Sequence, residues 1–90
     1  MALKLDLERR ARDFLDGLPA KQFRQVAVRL FDLLRDPDAP DTSALKNSPY
    51  RRADVGEYRI VYRVAADVLV VPLIGKRNDG EVYKRLGRMR

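Results

Sequence analysis

Arg51, Arg52, Arg59, Arg63, Lys76 and Arg77, with Tyr50 and Tyr83 among them, are the residues of this 90-residue sequence best suited to chemistry. The chain has no histidine, cysteine or tryptophan, so no disulfide framework, thiolate zinc site, imidazole ligand or serine-protease triad is open to it. Arginine, lysine, tyrosine and carboxylates remain. Lysine and arginine number 19 against 13 aspartate and glutamate, and the excess is uneven. Residues 1–36 carry net +2, residues 37–49 net −1 and residues 50–90 net +5. Basic charge concentrated in one region is the electrostatic footprint of a nucleic-acid or other polyanion binder. Asp79 and Glu81 have metal ligation as one reading, but helix capping explains them more simply, and no metal or cofactor is expected.

These side chains need a scaffold, and the chain is long enough for one domain over residues 1–90. A hydrophobic fraction of 46% with 36% charged residues of both signs reads as globular. The longest apolar run, Val68 to Ile74, falls far short of the ~20 residues of a membrane span, and no signal-peptide core is present. A cytoplasmic protein with no membrane partner is the expectation.

Ala2 to Leu7 alternate as a short strand, after which Ala11, Phe14, Leu15 and Leu18 predict a helix over Glu8 to Asp16, stopped at Gly17. Pro19 suits the first turn of a second helix, with Phe23, Val26, Ala27, Leu30, Leu33 and Leu34 on one stripe. The two form a helical hairpin. Asp36 to Pro49, with three prolines, reads as a crossover loop. Tyr50 to Val55 and Glu57 to Val64 form a β-hairpin around Gly56, and Asp67 to about Gly75 is a third, more apolar strand after a turn at Ala65 to Asp67. Pro72 inside that strand calls for a bulge or an unpaired N–H position. Asn78 and Glu81 resemble a capping box opening a short C-terminal helix through Val82, Tyr83 and Leu86.

The element order predicts an α+β fold, with the helical hairpin on one face of a mostly antiparallel four-stranded sheet and a short C-terminal helix. Tyr58, Ile60, Tyr62 and Val64 are expected to face the helices. Tyr50, Arg52 and Asp54 then share the open face with Arg59, as a basic surface bearing an aromatic ring.

The run YRRADVGEYRIVYRV, the strand DVLVVPLIGKR and the block NDGEVYKRL closely resemble the RelE/ParE superfamily of type II toxin-antitoxin toxins. The likeness covers the whole chain in element order. It is most specific at Gly56-x-Tyr58-Arg59 followed by Tyr62, and at Gly75-Lys76-Arg77 followed six residues after the arginine by Tyr83. The RelE branch is known for cutting mRNA in the ribosomal A site, and the ParE branch for poisoning DNA gyrase without the RNase residues.

The resemblance to the RelE branch implies that Arg59 contacts the scissile phosphate and that Arg77 stabilises leaving-group or transition-state charge. It implies that Tyr83 stacks on an mRNA base and assists proton transfer, although core packing is another reading of that residue. Arg52, Arg51, Lys76 and Arg63 are the expected RNA-binding set. The branch cleaves by attack of a 2′-OH, which needs a base, an acid and charge stabilisation. Arginine clamps phosphate oxygens through its planar fork, and neighbouring cations favour a phenolate. Such a metal-independent site leans on the ribosome to orient its substrate.

Two positions depart from the branch: Tyr50 stands where the best-known RelE toxin has a lysine proposed as general base, and Asp54 where many relatives are basic. A ParE-like gyrase inhibitor and an inactive basic RNA-binding module are the rival readings. The partners implied are a cognate antitoxin, forming a hetero-oligomer, and the ribosome with its mRNA.

Overall fold

The computed structural model describes residues 3–77. They form β1 (Lys4–Leu7), α1 (Arg9–Asp16), α2 (Ala20–Arg35), β2 (Thr42–Ala44), β3 (Arg51–Val55), β4 (Tyr58–Ala65) and β5 (Val68–Lys76). One sheet of five strands results, in the order β1-β5-β4-β3-β2. Only β1 and β5 run parallel; β5, β4, β3 and β2 pair antiparallel in succession.

Five strands replace the four expected. The additional one, β2, lies inside the proline-rich segment read as a loop, and its three residues pair with Arg51 to Ala53. Three residues are too few to display a period of two, so pairing with β3 creates this strand where local pattern does not announce it. The C-terminal helix expected through Tyr83 lies outside the described residues.

The helices end for local reasons. Gly17 caps α1 with its N–H directed at the carbonyls of Asp13 and Phe14, at φ −82°, so it has no need of the left-handed region. Pro19 precedes α2 at the N-cap, one residue before the first turn. In the β3–β4 hairpin, by contrast, Gly56 adopts φ +56° between the paired Val55 and Tyr58. A two-residue hairpin loop needs a positive φ to match the strand twist, which glycine takes at no steric cost. Ala66 takes φ +55° in the equivalent turn before β5.

Pro72 is accommodated as its chemistry demands. Val61 pairs with Leu73 and Arg63 with Val70, so Val71 and Pro72 together oppose Tyr62 in a bulge. The residue without an N–H falls where the ladder is interrupted.

The main core fills the space between helices and sheet. Ala11 and Leu15 of α1, and Val26, Leu30 and Leu33 of α2, pack on Ala53, Tyr58, Ile60, Tyr62, Leu69, Val71 and Ile74. Phe14 meets Tyr58 edge-on, with ring centroids 5.9 Å apart. Tyr58 and Tyr62 are core residues, as the alternation of β4 predicts. Val64 is the exception: it pairs with Leu69 on this face but lies exposed towards the end of the strand.

Tyr62 also carries a polar connection. Its buried hydroxyl donates to the carbonyl of Pro37 at 2.6 Å, tying the crossover segment to the middle of the sheet. Tyr62→Phe keeps the ring but leaves that carbonyl without its donor. The expected loss is about 1 kcal/mol of unfolding free energy, read as a lower urea midpoint at unchanged slope.

Candidate nucleic-acid interface

The face of the sheet turned away from the helices follows from the same alternation. Ser43, Arg52, Asp54, Arg59, Val61, Arg63, Leu73 and Gly75 share it, because directly paired residues project to one side. The expectation of an open face needs correction. Val61 and Leu73 form a second buried cluster, covered in part by Leu45 and Tyr50 from the segment joining β2 to β3. That segment is fastened by a backbone bond from Leu45 N to Tyr50 O of 2.9 Å and by Ser48 Oγ accepting from Tyr50 N at 3.1 Å. Asn47 supplies its positive φ of 57°. Tyr50 thus serves as part of a lid over an apolar patch beside the arginines.

Arg59 and Asp54 are direct cross-strand partners. Arg59 Nε donates to Asp54 Oδ1 at 2.7 Å and Nη2 to Oδ2 at 3.3 Å, a two-pronged fork. On its other flank Arg59 faces Gly75, which presents no side chain. Arg59 is only 9% exposed, whereas the Asp54 side chain remains partly open to solvent.

The bonds from Arg59 hold the Asp54 carboxyl below its ordinary pKa; burial opposes this, and the charges of Arg59, Arg52 and Arg77 add to the lowering. Arg59 bonds Asp54 directly, whereas Arg52 and Arg77 act on it through their charge. Asp41 is lowered in the same way, chiefly by its bond to Arg29, which ties α2 to the segment before β2 at 2.9 Å. Carboxylates lowered on folding stabilise above their unfolded pKa of about 3.9, and that contribution disappears as pH falls through the lower folded value. The thermal midpoint is therefore expected to drop below about pH 4, and Asp54→Asn to remove part of that acid sensitivity in a pH-resolved melting series.

The remaining sequence-predicted residues divide. Arg52 joins the cluster, with Nε donating to Ser43 Oγ at 2.9 Å. Arg77, exposed, follows β5, and its backbone N–H donates to the carbonyl of Glu57 at 2.7 Å, which closes the strand end against the hairpin turn. Arg63 shares the face but sits four residues along β4. Arg51 points to the helix side, where it meets Thr42 Oγ1 at 2.8 Å and Asp38 at 3.6 Å. Lys76 pairs with Tyr58 and projects towards that same side. Tyr83 lies outside the described residues. Sequence reasoning missed Ser43 and Leu45, which belong to the β2 segment.

Among the described residues, no group of three or more histidine, cysteine, aspartate or glutamate side chains is gathered to hold a metal ion. No helix among them is long and apolar enough to cross a membrane.

This arrangement has known counterparts. Residues 5–80 match the family model described as the ParE toxin of type II toxin-antitoxin system, parDE. No curated protein matches the sequence. Among solved structures, a mutant of the E. coli toxin RelE in the free state is 25% identical with a TM-score of 0.83, each chain being covered in full. The toxin-antitoxin complex RelBE2 from Mycobacterium tuberculosis is 25% identical with a TM-score of 0.76, over 88% of this chain and 95% of that one. A mutant E. coli RelE in complex with a peptide of the antitoxin RelB is 26% identical with a TM-score of 0.74, over 96% and 95%. With the family model spanning the sheet and both helices, the chain belongs to the ParE/RelE superfamily of type II toxin-antitoxin toxins.

Proposed function

We propose that this toxin is RelE-like: a ribosome-dependent endoribonuclease that cuts mRNA in the A site by attack of a 2′-OH on the adjacent phosphate. The observation that carries this reading is the strand register that places Arg52 and Arg59 on one face, with Arg77 just beyond the Gly75 that pairs with Arg59, beside the Tyr50 lid. Arg59 clamps the non-bridging oxygens, and Arg77 neutralises charge growing on the phosphorane and the departing 5′-oxygen. Tyr83 stacks on the base and assists proton transfer. Arg52 and Arg63, on the same face, contact RNA phosphates, so affinity falls with salt.

A cognate antitoxin neutralises the toxin in a hetero-oligomer, as the likeness to RelE–RelB complexes suggests. Its docking surface includes α2, where Val28 is 52% and Phe31 58% exposed between Arg24 and Arg35. An amphipathic segment with acidic flanks fits that stripe.

One observation favours the ParE-like reading, a gyrase inhibitor without catalysis: Arg59 is engaged by Asp54 on both prongs. Induction of the protein followed by primer extension separates the two. New mRNA 5′ ends within codons are the result expected; intact transcripts together with inhibited supercoiling would replace this proposal by the second reading.

A further inference from the structure

Asp54 lies at the centre of a cationic face, and its carboxylate has the geometry of a ligand. Two oxygens meet the Nε and Nη2 donors of one guanidinium at 2.7 and 3.3 Å. Carboxylate and phosphate present similar pairs of oxygens to an arginine fork, so one excludes the other from it. Arg52 and Arg77 add their charge at the same point. The direct cross-strand register between Asp54 and Arg59 keeps the carboxylate there, while its partial exposure gives it a route to water when displaced.

We propose that Asp54 is a built-in competitor for the anion site, occupying the Arg59 fork until a nucleic-acid phosphate displaces it. Affinity for single-stranded RNA in the free toxin is thereby set low, and a substrate whose phosphate is already held in register by another body gains access most readily. The inference rests on the reading of this face as an RNA site, and it adds a device that restrains the site in the absence of such positioning.

The test uses the full chain and a fluorescently labelled, non-cleavable single-stranded DNA-substituted RNA oligonucleotide, with binding followed by anisotropy over a series of salt concentrations. Asp54→Asn and Asp54→Ser are each expected to tighten binding about tenfold at low salt and to steepen the log–log salt slope by about 0.7, one further phosphate contact. The gain should vanish when Arg59→Ala is added. Asp67→Asn, which changes net charge equally on the β4–β5 turn, should produce a much smaller gain. Four outcomes overturn the proposal: unchanged binding by the Asp54 variants; weaker binding by both, which makes the carboxylate a support for Arg59; a gain that survives Arg59→Ala; or an equal gain from Asp67→Asn.

Cleavage on ribosomes is scored separately. Tighter binding by a toxin that cuts no mRNA removes the RNase reading and leaves the competitor in place. Unchanged binding by a toxin that cuts mRNA removes the competitor alone.

Discussion

Replacing Arg59 or Arg77 by alanine is expected to lower ribosome-dependent mRNA cleavage by about 10²- to 10³-fold, the usual effect of deleting one donor that stabilises transition-state charge. The two losses should differ. On the proposed reading Arg59→Ala removes the phosphate clamp, and it also strips Asp54 of its bonded partner, leaving a carboxylate at the proposed phosphate site. Arg77 is exposed at the end of β5, so its loss removes positive charge without uncovering a buried acid. Arg59→Ala is therefore the more severe variant. Arg59→Lys separates charge from geometry: a lysine keeps the cation but not the planar fork, and activity should fall between wild type and alanine.

Stability supplies the control for these variants. Arg59 is nearly buried, so its truncation also lowers the unfolding midpoint, whereas Arg77→Ala should melt with the wild type. Single-turnover cleavage on programmed ribosomes, paired with circular-dichroism melts, measures both effects. Equal cleavage by wild type and Arg77→Ala would remove that residue from the chemistry.

The largest effect on folding is expected at Leu33. Its side chain is fully buried between α2 and the sheet, in the cluster that holds Val26, Leu30, Tyr62 and Leu69. Leu33→Ala removes a methine and two methyl groups and leaves a cavity, at a cost of about 2 to 5 kcal/mol. A small domain has only ~5 to 15 kcal/mol in total, so the urea midpoint should move far towards zero. Phe31, two residues earlier on the same helix, is 58% exposed, and Phe31→Ala should shift stability by no more than ~0.5 kcal/mol. The pair tests whether α2 is stabilised by one face only. Similar losses at both positions would mean that the exposed stripe is packed in solution.

Much of this architecture is legible in the residues. Leu30 and Leu33 repeat at helical spacing, and Tyr58, Ile60 and Tyr62 alternate at strand spacing, so the burial of each follows from period alone. Pro72 announces its bulge because it lacks an N–H. Local pattern is silent where long-range pairing decides: β2 exists because Thr42 to Ala44 meet β3, and the apolar lid of Leu45 and Tyr50 follows from that placement.

The candidate site was legible as a cast of residues more than as an arrangement. Alternation joins Arg52, Asp54 and Arg59 on one face, and the register makes Asp54 and Arg59 a bonded pair. Adjacency in sequence misleads for Arg51 and Lys76, which neighbour Arg52 and Arg77 yet project to the opposite side.

The proposed activity is cleavage, by the arginine cluster, of RNA held by the ribosome. Its most direct measurement is incubation of the purified toxin with ribosomes programmed with a defined mRNA, followed by mapping of the 5′ ends. A cut within the A-site codon that requires ribosomes and disappears in Arg77→Ala is the predicted result. Intact mRNA under these conditions, with DNA gyrase inhibited by the same preparation, would contradict it.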